Sequence, residues 1–246
     1  MMSLLNLTID TYERKVRLYP AMVLVAACVV TIVAILSVQL SVVESLGAAC
    51  IGLLIECGGA FLLSQLARDA GKNKEKMLFE KWGGMPSVAI FRHRDARLDA
   101  ITKARYHKKL ATLVKGTKPP SVTDEQSDPG AADQVYIAWS AYLRVNTRDT
   151  KKYRLLFQEN ISYGFRRNTW GLRPVGIIAN IFCFLTIATW SYIGYQSTHE
   201  ISAKVVGAAI CILLLLLLWI FRFSSDWVRI PADAYAARLA EAVDTI

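Results

Sequence analysis

Residues 174–221 read PVGIIANIFCFLTIATWSYIGYQSTHEISAKVVGAAICILLLLLLWIF: two uncharged runs, 174–195 and 205–221, separated by a short turn carrying Glu200 and Lys204. An α-helix rises 1.5 Å per residue, so about 20 apolar residues cross roughly 30 Å of hydrocarbon. Each run is about that long, and the turn between them is too short for anything but a hairpin. Upstream, residues 21–40 form a third uncharged run, and residues 46–66 a fourth whose single charge is Glu56. The pattern predicts an all-α membrane protein with four transmembrane helices in two hairpins, 21–66 and 174–221.

Lysine and arginine set the orientation, because short translocated loops avoid them and cytoplasmic flanks accumulate them. Of the chain's 29, residues 67–173 hold 22, against 11 carboxylates; three precede the first span (Arg14, Lys15, Arg17), three follow the last (Arg222, Arg229, Arg238), and Lys204 is the remaining one. A basic, mostly helical cytoplasmic domain is therefore expected at 67–173, inserted between the hairpins, with both termini cytoplasmic and the protein multi-pass in the cell inner membrane. Residues 1–20, with Leu4, Leu5, Leu7, Ile9, Tyr12, Val16 and Leu18 among polar neighbours, suit an interfacial amphipathic helix, and 222–246 a cytoplasmic C-terminal helix. A polar stretch before the first apolar run argues for a signal anchor and against a cleaved leader. The five cysteines fall in predicted spans without metal-ligand spacing and read as packing hydrophobes.

Within the basic segment a helix is expected to continue from the second span to Trp82 and to break at Gly83–Gly84. Another is expected from Asp95 to Val114, then an exposed loop over 115–130, and helices over 131–145 and 150–165. Pro20 and Pro174 are expected at the first turns of spans, where a missing N–H is harmless.

Two features carry candidate chemistry. A carboxylate at mid-span costs about 2.5–3.5 kcal/mol on insertion scales, so Glu56 must face protein or water. It recurs with Ala48, Gly52 and Ala60 at four-residue spacing, beside Gly59, a small-residue stripe that permits close helix contact. It is either a pore or protonation site or a packing carboxylate. The second feature is a run of cations. Arg94, Arg97, Arg105 and Lys108 share one face of a helix continued from Phe91, flanked by Arg92, His93, Lys103, His107 and Lys109. Guanidinium groups on one face suit phosphates, so a nucleotide, an oligonucleotide or lipid headgroups are the candidate ligands; the alternative is a solvated basic face near an anionic leaflet. The aromatic and basic residues Tyr153, Arg154, Phe157, Tyr163, Phe165, Arg166, Arg167 and Trp170 stack bases or anchor a membrane interface, the latter favoured by their place before Pro174. His93 and His107 have no nucleophile at a diagnostic spacing and no phosphate-cradling glycine loop follows a strand, so no enzyme, metal or cofactor is expected.

The two hairpins, Glu56 on its glycine-rich face and the basic stretch 92–109 together resemble the small transmembrane effectors of bacterial anti-phage defence systems, among them the Hailong-type effector channel. The resemblance is one of layout and transfers no individual site. It implies a cytoplasmic part that senses a nucleotide or nucleic-acid signal and spans that then pass ions. The expected function is accordingly a homo-oligomeric channel or membrane-disrupting effector gated by such a ligand. The alternatives are a membrane-anchored adaptor docking an acidic cytoplasmic signalling partner, or a transporter subunit.

Overall fold

A computed structural model describes residues 11–39 and 59–246, and among them the chain is helical, with no strand. The first long helix, α1 (Tyr19–Gln39), is entered through one turn, Thr11–Glu13, and a wider π-type stretch, Arg14–Leu18. Pro20 thus lies inside a continuous helix, just after the wide turn. Its ring and missing N–H disturb the carbonyl one turn back, and such strain is a recognised setting for π-type turns. There follow α2 (Gly59–Asn73), α3 (Glu75–Trp82), α4 (Pro86–Ala89), α5 (Ala100–Leu113), α6 (Val122–Ser127), α7 (Pro129–Asn146), α8 (Arg154–Thr198), α9 (Ala203–Leu217) and α10 (Ser225–Glu241). A π-type stretch, Leu218–Arg222, prolongs α9, and a 3₁₀ turn, Ala242–Thr245, ends the chain.

Three helical stretches among the described residues are long and apolar enough to cross a membrane: Arg14–Ser37, Arg154–Thr198 and Ala203–Arg222. They bear out a helical membrane protein. The fourth expected span falls mainly on residues outside the described ones, as do Glu56, Gly52 and residues 1–10; Gly59 opens α2. The 45 residues of α8 reach about 68 Å at 1.5 Å each, more than twice a hydrocarbon core. Pro174 lies inside this helix, which corrects the expectation that a new helix starts there. A proline in a helix interior costs about 3 kcal/mol, and here the helix is pinned on both sides of it. A Cβ on Gly171 would stand 2.5 Å from the backbone of Ala70 and Gly71, and one on Gly176 2.5 Å from the Trp219 ring, so both glycines sit in direct contact with a neighbour.

The chain divides into two compact units. The first takes the residues up to Lys74 and Gly164–Trp227, the second Glu75–Tyr163 and Val228–Ile246. In the first, small residues of α1, Ala27 and Ala34, pack with Cys183 and Ile187 of α8 and with Val205, Ala208 and Ile212 of α9. Small side chains let helix backbones approach where lipid removes the usual hydrophobic drive. The Cys28 and Cys183 sulfurs are 3.8 Å apart and both thiols are free. Toward the other end of these helices Ala21, Ala67, Leu172, Trp219, Phe223 and Trp227 form a second cluster.

The second unit is a small helical domain around Phe91, Tyr106, Leu110, Tyr136, Trp139 and Leu143, closed by Leu239 and Val243 of the C-terminal segment. Aromatic rings carry much of this core: Phe91 and Trp139 meet edge-to-face at 6.1 Å, and Tyr136 lies 5.5 Å from Trp139. The expected break at Gly83–Gly84 is present, with φ of 77° and 132°.

Candidate functional site

The cations expected on one helix face are divided by where α5 begins. The Asp99 side chain accepts the Thr102 N–H at 2.9 Å and caps the helix, so α5 starts at Ala100 and Arg92–Leu98 form a loop before it. Arg94 and Arg97 are therefore loop residues; Arg105, Lys108 and Lys109 alone of the six candidates lie on the helix. Lys103, one turn into α5, holds the loop: its buried ammonium donates to the carbonyls of Arg92 at 2.8 Å and His93 at 3.3 Å, and to that of Asp95. Burial lowers the Lys103 pKa, with Asp95 and Glu125 opposing the shift.

Arg92 is a strut. Only 8 % exposed, it donates from Nε and Nη2 to the two carboxylate oxygens of Asp133 at 2.8 and 2.6 Å, and from Nη1 to the Gly83 carbonyl at 2.6 Å. The Asp133 bonds hold its pKa above the ordinary arginine value. A Cβ at Gly84 would approach its Nη2 to 2.6 Å, so glycine there admits the guanidinium. Arg97 is likewise engaged, with Asp95, with Asp233 at 2.6 Å and with the Pro86 carbonyl. Burial would raise the Asp95 carboxyl, but the hydrogen bonds from Arg97 hold it below the usual range. Arg105 pairs with Asp244 at 3.0 Å on the surface, Lys108 is exposed and Lys109 half-buried. Arg94 differs from all of these: its side chain is 63 % exposed and its nearest carboxylate, Glu125, is 4.0 Å away.

The acidic loop expected at 115–130 contains α6, and Glu125 on it points inward, 6 % exposed. It accepts the backbone N–H of His93 at 2.7 Å and the Tyr136 hydroxyl at 2.9 Å. Burial would raise this carboxyl and those hydrogen bonds lower it, the latter prevailing. The signal for α6 was present: Ser121 and Asp124 have capping-box spacing, and each side chain bonds the other's backbone N–H. His107 is buried, its Nε2–H donating to the Phe91 carbonyl at 2.8 Å with the His93 ring 5.0 Å away. Burial pushes it down to about 4, so at neutral pH it is an uncharged core residue.

Two cavities flank the 92–98 loop. The larger, about 780 Å³, is lined by His93, Arg94, Lys103, Val122, Glu125 and Pro129 among others. The smaller, about 350 Å³, is lined by Trp82, Gly84, Arg92, Arg97, Arg229 and Asp233 among others. Arg94 and Asp95 line both. The loop thus offers one loosely held guanidinium at the mouths of two cavities whose other cations are engaged by carboxylates or carbonyls. Among the described residues no cluster of histidine, cysteine and carboxylate side chains is arranged to hold a metal ion.

The aromatic and basic set ahead of the third span does not form one site. Tyr163 donates to Glu75 at 3.0 Å in the second unit. In the first, Phe165 and Arg166 meet Trp227, Arg167 bonds Asn168, and Asn168 donates to the Val16 carbonyl at 2.8 Å. Comparison with protein-family models, with curated proteins and with solved structures finds no match to this chain.

Proposed function

We propose that this chain is a homo-oligomeric membrane channel or membrane-disrupting effector, and that a nucleotide or oligonucleotide bound beside Arg94 in the cytoplasmic helical unit controls it. The supporting observation is the position of Arg94, exposed, loosely paired and shared by both cavities. Its guanidinium can turn to a phosphate without breaking a close ion pair, whereas Arg92 and Arg97 cannot. The larger cavity is within the range of small-ligand sites, roughly 300–1,000 Å³. α8 offers a route to the membrane, since one helix begins in the second unit and continues through the apolar run. Glu56, with Gly52 and Gly59, is the proposed polar lining of the ion path, on the sequence argument alone. The layout resemblance to defence effectors points the same way.

A second reading, an adaptor docking an acidic partner, draws on the exposed cations away from both cavities, Lys108, Arg148, Lys151 and Lys152. Conductance of the purified chain in a planar bilayer separates the two. The expected result is current that changes on adding nucleotides or oligonucleotides at low salt, a response weakened about tenfold or more in ligand affinity by Arg94→Gln, and altered conductance in Glu56→Gln. Absence of current under all these conditions sinks the channel reading. Current with an unchanged response in Arg94→Gln sinks the assigned ligand site.

A further inference from the structure

Five arginines of the second unit, Arg92, Arg97, Arg105, Arg229 and Arg238, each meet a carboxylate. The first unit contains a group that does not. Arg173, on α8 just before Pro174, donates from Nε to the Trp219 carbonyl at 3.0 Å and from Nη2 to the Ile220 carbonyl at 2.8 Å. It thereby caps the end of the last spanning helix, where terminal carbonyls and the helix dipole favour a cation. Arg222, exposed, lies with its guanidinium carbon 5.0 Å from the Trp227 ring centre. The Lys74 ammonium is 5.2 Å from the ring centre of Trp170. Among the described residues none of these three has an ion-pair partner. Rings and carbonyls orient the cations but carry no net charge, so among the described residues the positive charge of the group is not neutralised by an ion pair. Lys74 registers this: burial first, then the nearby Arg173, lowers its pKa.

The location says which anion this group of cations would meet. Trp170 stands just before the apolar run of α8, and Trp219 and Trp227, at and just beyond the end of the α9 span, are buried in the cluster at that end; a half-buried tryptophan at a span end settles at headgroup depth. A phosphate in the same layer belongs to a lipid. We propose that Lys74, Arg173 and Arg222 bind the headgroup phosphate of an anionic glycerophospholipid, with the half-buried Trp170 against its glycerol and upper acyl region. This assignment stands apart from the ligand proposed beside Arg94 and does not depend on conduction.

The test uses the full chain reconstituted in phosphatidylcholine vesicles containing phosphatidylglycerol, with brominated acyl chains on one lipid or the other. Quenching of tryptophan fluorescence then reads relative occupancy next to the protein. Wild type is expected to prefer phosphatidylglycerol, and each cation removed in Lys74→Gln and Arg222→Gln to lower that preference about fivefold. Arg173 is left intact because it caps a helix. Arg222→Lys, which retains charge, should keep most of the preference, and Lys204→Gln, beside Ser37 at the other end of α1, should keep all of it. Equal quenching by the two lipids in wild type, or an undiminished preference in the Lys74→Gln and Arg222→Gln double variant, overturns the proposal. So does loss of the preference in excess inorganic phosphate at matched ionic strength, which would assign a site for free anions.

Discussion

Lys103 and His107 lie one helical turn apart on α5, and both are 5 % exposed, yet they solve burial in opposite ways. The lysine keeps its charge by giving hydrogens to three carbonyls, whereas the histidine gives up its charge and donates one hydrogen to Phe91. Burial among the Tyr136 and Trp139 rings explains the choice first, the His93 ring and the Lys103 ammonium add to it, and Glu125 and the bond to Phe91 oppose it. A proton there would place a second buried cation beside Lys103. With the folded imidazole at about 4 against 6.5 in the unfolded chain, the unfolded state takes up the proton first as pH falls. Stability from this residue is therefore complete above pH 6.5 and is lost progressively down to about pH 4, by roughly 2–3 kcal/mol. Chemical unfolding of the full chain, followed by near-ultraviolet dichroism of the Tyr136 and Trp139 core, should show this loss between pH 7 and 4.5. His107→Gln retains a donor for the Phe91 carbonyl and should flatten that slope. An equal slope in the variant assigns the effect to other groups.

At the scale of elements, the decisive contacts are backbone against backbone. A Cβ on Gly71 would lie 2.2 Å from Asn168 Oδ1 and 2.9 Å from Asn168 Cα, and one on Gly171 2.5 Å from the Ala70 carbonyl carbon, so α2 and α8 approach closely enough that a glycine is needed on each. Gly194, on the same helix as Gly171, has open space around it. Gly171→Ala should destabilise the protein by about 3 kcal/mol through forced separation of the helices, while Gly194→Ala should be neutral or stabilising by about 0.5–1 kcal/mol. Thermal unfolding in detergent compares them directly; equal effects would remove the close contact from the account. This contact also marks how far the sequence could be read. Apolar length alone located α1, the apolar half of α8, and α9, and paired glycines located the break after α3. The persistence of α8 through Pro174 was not legible, because it depends on Gly171 and Gly176 meeting partners distant in sequence. The division of the cation stripe was legible in part: Asp99 has the right chemistry and spacing for a cap, but helical periodicity from Leu98 onward outweighed it. Which arginines would meet Asp133 and Asp233 depended on tertiary proximity, and no spacing rule contains that.

For the whole molecule, the described contacts constrain how often the chain crosses. Within the first unit, Lys204 at the start of α9 donates to the Ser37 carbonyl at 3.3 Å, so residue 37 belongs to one end of the spanning helices. Gly171 meets Ala70 and Gly71, and Asn168 bonds Val16, so residues 16 and 70 belong to the other end. A chain that starts at one end, reaches the opposite end by residue 37 and has residue 70 at the first end again is expected to cross twice between them. The apolar run 46–66 is the segment available for the return, which leads us to expect four crossings, with residues 67–173 and both termini on one side. The side follows from charge: 22 of the 29 lysines and arginines lie in 67–173, so that side is expected to be the cytoplasm. Single cysteines placed in a variant whose five native cysteines are serine test number and orientation together. Ser45→Cys and Ser197→Cys should react with an impermeant maleimide in intact cells, and Lys118→Cys only after permeabilisation. Labelling of Lys118→Cys from outside would reverse the orientation. Accessibility of Ser45→Cys and Lys118→Cys from the same side would leave three crossings, place the 67–173 segment opposite residues 14–17, and contradict the end-to-end contacts from which the return crossing was inferred.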